Sequence, residues 1–427
     1  MYSDMSALAE KFGDYVYANA EAHPERVRRL LLAAYRGFGW FQRHFPDSAK
    51  PASRNYLADA CNRLMTDGMR NPDETALVSL FLPCELLQAF DLHPLCAEMF
   101  STFLNGADAE RIFVEIAEAA GIAPTFCSYH KILMGASICG VLPPAAFILN
   151  SSVACDANNL TFREISRKTG VPQYYVDVPY QKDEQSVQYV ADQLRELGSA
   201  LSEALGKPLD EERLQQACMR SRQTAENMRA VLPLRGTRML AGDLTSELYE
   251  AIMMHSGLGT QEALEYSRLL RKDYEAAPEG HGLKIVWMHT NPFWQKPARD
   301  LLSFQAGQQV AATELSYDAW QEVTEADPYR FMAARLVHDP YNGPVGDRIA
   351  RTLEIAHAVQ ADGVVCFCHW GCKETCGASG IIQSRLEAEG YPTLVLSGDG
   401  VDRANASDGQ TATRLGAFLE MLKERRG

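Results

Sequence analysis

Apolar positions along the chain change their period three times, and the changes divide it into parts. Helical spacing runs through Arg26 to Phe45, Asn55 to Met65 and Asp73 to Phe90, with Pro and Asn at the breaks, so residues 1–100 read as a helical region. Near residue 120 the pattern turns to short continuous apolar runs. Ala145 to Asn150 (AAFILN) is of buried-strand type, and Cys155 lies in the loop after it. A helix is predicted over Asn158 to Thr169, then a strand over Gln173 to Val178 that Pro179 ends. Strand, loop, helix, strand is a βαβ unit, which implies a parallel sheet with loops at the carboxyl ends of its strands.

Glu184 to Met253 is helical again and separates this unit from a second one. There, strands are predicted at 283–289 (LKIVWMH), 309–315 (QVAATEL), 363–369 (GVVCFCH) and 392–397 (PTLVLS). Helices are predicted around Gln295 to Ala306, Gly346 to Gln360, Thr375 to Glu389 and Thr411 to Lys423. The expected class is therefore α/β, with two Rossmann-like doubly wound parallel-sheet domains plus an N-terminal helical region. The boundaries read as 1–100, 101–275 with a helical insertion, and 276–427. The two α/β parts share a plan: each offers a cysteine just past a strand.

At 427 residues the chain exceeds one simple core. A formal charge of −14 excludes a sequence-independent nucleic-acid binder, which needs a basic footprint. The N-terminus has no basic stretch followed by an apolar one, so no signal peptide is expected. The longest apolar run, Val141 to Leu149, is broken by Pro143 and Pro144 and is too short to span a bilayer. The expected location is the cytoplasm. In a reducing compartment an odd count of eleven cysteines points away from disulfides and toward metal or catalytic use.

The cysteines carry the chemistry. Cys366, Cys368, Cys372 and Cys376 lie within eleven residues, straddling a predicted strand-to-helix turn where free backbone N–H groups point. An anionic thiolate-ligated cluster is well tolerated there, and Lys373 adds to the effect. Buried structural thiols are the bland alternative. Zinc on Cys366, Cys368 and His369 is another, though no paired CxxC knuckle accompanies it. Cys127 and Cys155 are weak signals singly and gain weight from lying at matched positions. Cys139 raises the local thiol density further, whereas Cys61, Cys84, Cys96 and Cys218 sit in apolar helical contexts and read as core. Glu85, in LFLPCELLQAF, is either a buried acid or base of raised pKa or a first-turn glutamate favoured by the helix dipole. His130, Lys131 and the run His289 to Trp294 lie at strand ends and either line a cleft or are solvated. Neither a P-loop motif nor a GxGxxG after a first strand is present, which argues against P-loop ATP hydrolysis and against NAD.

Together PCELLQAFDLHPL, the paired FCSYHK and ACDANN segments ending in YYVDVPY, CHWGCKETCG and the C-terminal GQ-x2-TR-x3-F pattern resemble the 2-hydroxyacyl-CoA dehydratase family. That superfamily also contains benzoyl-CoA reductases and double-cubane-cluster reductases. The resemblance implies that Cys127, Cys155 and Cys372 hold a [4Fe–4S] cluster between the α/β domains and that Glu85 sits near the substrate. It implies a related second subunit (or a homodimer), an ATP-hydrolysing iron–sulfur activator and an acyl-CoA substrate. The implied reaction is a radical elimination of water through a ketyl. Cys139, Cys366, Cys368 and Cys376 exceed the needs of three-thiolate ligation. They leave open a low-potential reductase with an [8Fe–9S] double-cubane cluster, and a non-catalytic paralogous subunit remains a third reading.

Overall fold

The computed structural model describes residues 2–318 and 323–427. Two four-stranded sheets organise it, and every strand pairing in them is parallel. The first contains β1 (Thr75–Val78), β2 (His93–Cys96), β3 (Phe147–Ser151) and β4 (Gln173–Val176), in the order β2-β1-β3-β4. The second contains β5 (Leu283–Met288), β6 (Gln308–Thr313), β7 (Gly363–His369) and β8 (Thr393–Gly398), in the order β6-β5-β7-β8. The two orders are the same permutation, so the shared plan legible in the sequence is a shared topology.

Burial explains the strand sequences. β3, β5 and β7 are buried at every position, and their runs FILNS, LKIVWM and GVVCFCH lack the alternation of a half-solvated strand. The edge strands β4 and β8 are only partly buried. β2 carries Pro94, which an edge position tolerates because one side of the strand donates to no neighbour.

The helical reading of Asp73 to Phe90 is corrected here. The segment begins in the 3₁₀ turn Pro72–Glu74, β1 follows from Thr75, and only Glu85–Gln88 is α-helical. The apolar stretch TALVSLFL satisfies both periods over so few residues, and burial on both sheet faces decides for the strand. Helices at Ser128–Cys139 and Pro328–Val337 were not anticipated, and Thr375 to Glu389 is split into Lys373–Cys376 and Ser379–Ala388 around Gly377. Among the described residues no helix is long and apolar enough to cross a membrane.

Between the sheets, helix Leu244–Ser256 presents a charged histidine. His255 Nδ1 faces the Ala251 carbonyl at 2.8 Å and Nε2 faces Asp318 Oδ2 at 2.9 Å, so both ring nitrogens bear protons. Burial opposes that charge, but the Asp318 carboxylate outweighs it and raises the pKa to about 8. Burial, with Asp318 nearby, also raises the Asp339 carboxyl to about 8.

Both groups have a folded pKa above the unfolded one, so each stabilises the fold below its unfolded pKa and ceases to as pH rises through the folded value. The stability of the chain is expected to fall from about pH 4, where Asp339 ionises in the unfolded chain but not in the folded one, more steeply between about pH 6.5 and 8, with His255 alone accounting for about 2 kcal/mol. Thermal unfolding midpoints across this range check it. Asp339→Asn should flatten the profile, and identical slopes in the two proteins would contradict the assignment.

Candidate active site

Each of three helices begins at a cysteine. Cys127 is the N-cap of α1 (Ser128–Cys139), Cys155 of α2 (Asp156–Thr169) and Cys372 of α3 (Lys373–Cys376). α2 follows β3 and α3 follows β7, the third strand of each sheet, so Cys155 and Cys372 are topological equivalents. In both sheets the order reverses beside that strand, and the crevice at the carboxyl ends of such strands is where doubly wound sheets bind ligands.

The loops that carry the cysteines touch. A Cβ at Gly371 would lie 2.6 Å from both the Phe126 carbonyl carbon and the Cys127 nitrogen, and the residue has φ +81°. Backbone therefore packs on backbone, and only glycine fits. Ala154, just before Cys155, and His289, just past β5, are also left-handed, at φ 66° and 70°. Left-handed backbone at non-glycine residues on both sides of one cleft marks a place the surrounding fold over-determines.

Further contacts join the two sheets beside the thiols. Ser128 Oγ donates to Asp399 Oδ2 at 2.5 Å, Tyr129 Oη and Thr290 Oγ1 are 2.6 Å apart, and Asn105 Nδ2 donates to the Val401 carbonyl at 2.8 Å. The Gly398-Asp399-Gly400 segment, which reads in sequence as a plain turn, is a clamp between the sheets.

Every one of the three thiols faces an imidazole. Cys127 Sγ is 3.3 Å from His369 Nε2, Cys155 Sγ is 3.5 Å from His130 Nε2, and Cys372 Sγ is 3.5 Å from His289 Nε2. Hydrogen bonds fix two of the tautomers. The Gly400 N–H donates to His369 Nδ1 at 3.0 Å, so the neutral ring carries its proton on Nε2, toward Cys127. Thr161 gives its hydroxyl proton to the Ala157 carbonyl at 2.9 Å and accepts from His130 Nδ1 at 3.0 Å, so His130 turns a bare Nε2 toward Cys155.

Burial dominates the electrostatics. It raises the Cys127 thiol well above its usual range, and Cys155 and Cys372 raise it further by repulsion. Burial, then the Glu98 carboxylate, raises Cys155, and burial raises Cys372. Opposing this, the backbone amides of His130, Asn158 and Thr375, each three residues past a cysteine, favour the thiolate. The imidazoles are held neutral, with burial driving His130 down to about 3 and depressing His369 and His289. Among the described residues no three His, Cys, Asp or Glu side chains close around a single metal ion.

The other candidates stand elsewhere. Cys139 ends α1, eleven rises or roughly 16 Å from its start, where Glu21 and Lys168 are its charged neighbours. Cys366 lies in the core of β7. Cys368 and Cys376 pair with each other, Sγ to Sγ at 3.1 Å. Glu85 is buried against Arg335, whose guanidinium pairs with Oε1, and Ser221 Oγ donates to the same oxygen at 2.6 Å. Its charge acts on Cys84 and Cys218 rather than on the three convergent thiols.

The carboxylate brought to Cys155 is Glu98, which sequence reading missed. It stands two residues past β2, its Oε1 accepts from Asn158 Nδ2 at 3.1 Å, and its Oε2 accepts from the Leu80 N–H at 3.2 Å. Burial raises its pKa. The available signal was a glutamate two residues past a strand, hidden because four residues containing a proline were not read as a strand.

Comparison with known proteins shows the family. The profile of the family described as 2-hydroxyglutaryl-CoA dehydratase, D-component, matches residues 79–422. The chain belongs to this family. It is 22% identical to the (R)-phenyllactyl-CoA dehydratase alpha subunit of Clostridium sporogenes over 72% of this chain and 79% of that protein. It is 23% identical to the (R)-2-hydroxyglutaryl-CoA dehydratase subunit alpha of Acidaminococcus fermentans over 66% of this chain and 61% of that protein. It is also 23% identical to the lactoyl-CoA dehydratase subunit alpha of Anaerotignum propionicum, over 73% and 81% of the two lengths.

The backbone contact at Gly371 can be tested directly. Gly371→Ala should lower stability by about 2 kcal/mol or more, since it adds a left-handed alanine and a steric overlap. Gly380→Ala, at a helical position with open space around it, should be neutral or stabilising. Thermal unfolding of both variants checks this, and equal effects would sink the packing argument.

Proposed function

We propose that this chain is the iron–sulfur subunit of a 2-hydroxyacyl-CoA dehydratase-like lyase, in which Cys127, Cys155 and Cys372 hold a [4Fe–4S] cluster with one iron left open. The observation that carries this reading is the convergence of three N-cap cysteines, from both sheets, on one buried place. Three separated thiols suit a polynuclear centre, where each thiolate binds its own iron. Helix N-termini and inward amides suit its negative charge. When bound, such a cluster supplies a Lewis-acidic iron and a site for a low-potential electron.

The rest is the work of this chain's own groups. The β-proton of a 2-hydroxyacyl thioester is not acidic until the substrate has gained an electron, so the site needs a base that waits in a water-poor place. Glu98 fits that role: burial raises its basicity, and Asn158 and the Leu80 amide orient it. His369 donates an N–H toward the Cys127 sulfur and steadies negative charge there. Glu85, locked to Arg335, is assigned to holding helices Glu211–Thr237 and Pro328–Val337 against the first sheet.

The relatives are alpha subunits, which supports a related second subunit as the partner, with an ATP-hydrolysing activator as electron source and an acyl-CoA as substrate. Eleven free cysteines suit a reducing, cytoplasmic and anaerobic setting. An eight-iron reductase would need more thiols at the site, and the position of Cys139 gives it no support.

Anaerobic purification with iron and acid-labile sulfide analysis tests the proposal. Roughly four irons per chain are expected, with most lost in Cys127→Ser, Cys155→Ser or Cys372→Ser and none lost in Cys139→Ser. A chain that stays iron-free after reconstitution would end this reading. Glu98→Gln should keep its iron and lower kcat about 10²- to 10⁴-fold, measured with the partner subunit and activator present. Full activity in that variant would remove Glu98 as the base.

A further inference from the structure

Two more cysteines meet outside the three-thiol group. Cys368 Sγ and Cys376 Sγ are 3.1 Å apart, the first near the end of β7 and the second at the end of α3. They bracket Cys372, which lies four residues from each. Neither sulfur serves the site already described, since Cys372 faces His289 and the pair has partners of its own. The Cys376 thiol donates to the His369 carbonyl at 3.0 Å, and Ser379 Oγ donates to the Cys376 carbonyl at 3.2 Å.

The geometry asks for little change to become covalent. A disulfide holds its sulfurs about 2 Å apart, so closing this pair requires the two to approach by only about 1 Å. Access is graded as a two-thiol reaction needs. Cys376 is partly exposed, whereas Cys368 is only 8% exposed and sits behind it. A reagent from solvent therefore meets Cys376 first, while the contact between the two sulfurs favours the thiolate on Cys368, pulled down to about 7, over that on Cys376.

We propose that Cys368 and Cys376 form a reversible dithiol–disulfide site whose co-reactant is a low-molecular-weight disulfide. One thiolate of the pair attacks one sulfur of that disulfide, whose S–S bond breaks and expels one thiolate. The other, as thiolate, then attacks the protein sulfur of the mixed disulfide, breaks that bond and expels the second. Two protein thiols lose two electrons in total, the co-reactant is reduced to two thiols, and the two protein protons end on those thiols. Closing the bond removes both sequence neighbours with which Cys372 could itself form a disulfide, so the pair keeps Cys372 free under mild oxidation. The inference stands whether or not the three-thiol group binds iron.

The test is made on the full-length, metal-free chain. It is titrated anaerobically with oxidised glutathione, the free thiols are alkylated, and the peptides are mapped by mass spectrometry. The Cys368–Cys376 cross-link should form at a glutathione disulfide concentration about tenfold or more below that at which Cys372 resists alkylation, and dithiothreitol should reverse it. Cys368→Ser should trap glutathione on Cys376. Unchanged circular dichroism and unfolding midpoint would establish that this variant folds. A cross-link that includes Cys372, or none between Cys368 and Cys376, overturns the proposal. So does anaerobically reconstituted Cys368→Ser or Cys376→Ser that has lost iron, because the pair would then be a ligand and not a switch.

Discussion

The approach of Gly371 to the Phe126–Cys127 peptide is the contact on which the functional arrangement depends. Cys127 belongs to the loop before α1, on the side of the first sheet, and Cys372 belongs to the second sheet. Nothing along the chain brings them together, since 245 positions separate them. A side chain of any size at 371 would hold the two loops apart by at least the thickness of a methyl group, and the thiols with them. The hydrogen bonds of Ser128 to Asp399 and of Tyr129 to Thr290 then fix the approach in orientation. All of these lie within a few residues of a cysteine or imidazole of the site, so the interface between sheets and the site are one construction.

Duplicated topology explains why two of the three thiols arrive at equivalent places. In a parallel sheet every strand delivers its following loop to the same carboxyl end, and the third strand of each sheet lies next to the reversal of strand order. β3 and β7 therefore present Cys155 and Cys372, past their carboxyl ends, to a common crevice. Cys127 breaks the symmetry, because α1 precedes β3 and has no counterpart with a cysteine in the second half. A three-thiol group built from two equivalent positions and one unique position follows from this plan.

Much of this was legible in the sequence, for a physical reason. Strands buried on both faces read as uninterrupted apolar runs, which made β3, β5 and β7 visible and placed Cys155 and the Cys366–Cys376 segment beside them. The first two strands were not legible: β1 is four residues long within an apolar stretch that suits a helix equally, and β2 contains a proline that only an edge position permits. Losing them hid Glu98, whose meaning comes entirely from standing at the carboxyl end of β2. Glu85 was conspicuous for the opposite reason. A lone carboxylate in LFLPCELLQAF draws attention, yet its partners Arg335 and Ser221 lie far along the chain and no local pattern announces an ion pair. Cys139 likewise gained interest from sequence proximity to Cys127, which a helix converts into distance.

The imidazoles carry the remaining argument. Three neutral histidines around three thiols are chemically unequal because their outer hydrogen bonds differ. His369 is held by a backbone donor, and its remaining proton points at Cys127. His130 is held by a hydroxyl acceptor, and its lone pair points at Cys155. His289 has a buried Nδ1 without a partner among the described residues. Negative charge on sulfur is thus met by an N–H at Cys127 and by a lone pair at Cys155. The site is polarised before anything binds, and the polarity is written in the second layer of contacts: the Gly400 amide and the Thr161 hydroxyl, neither of which touches a sulfur.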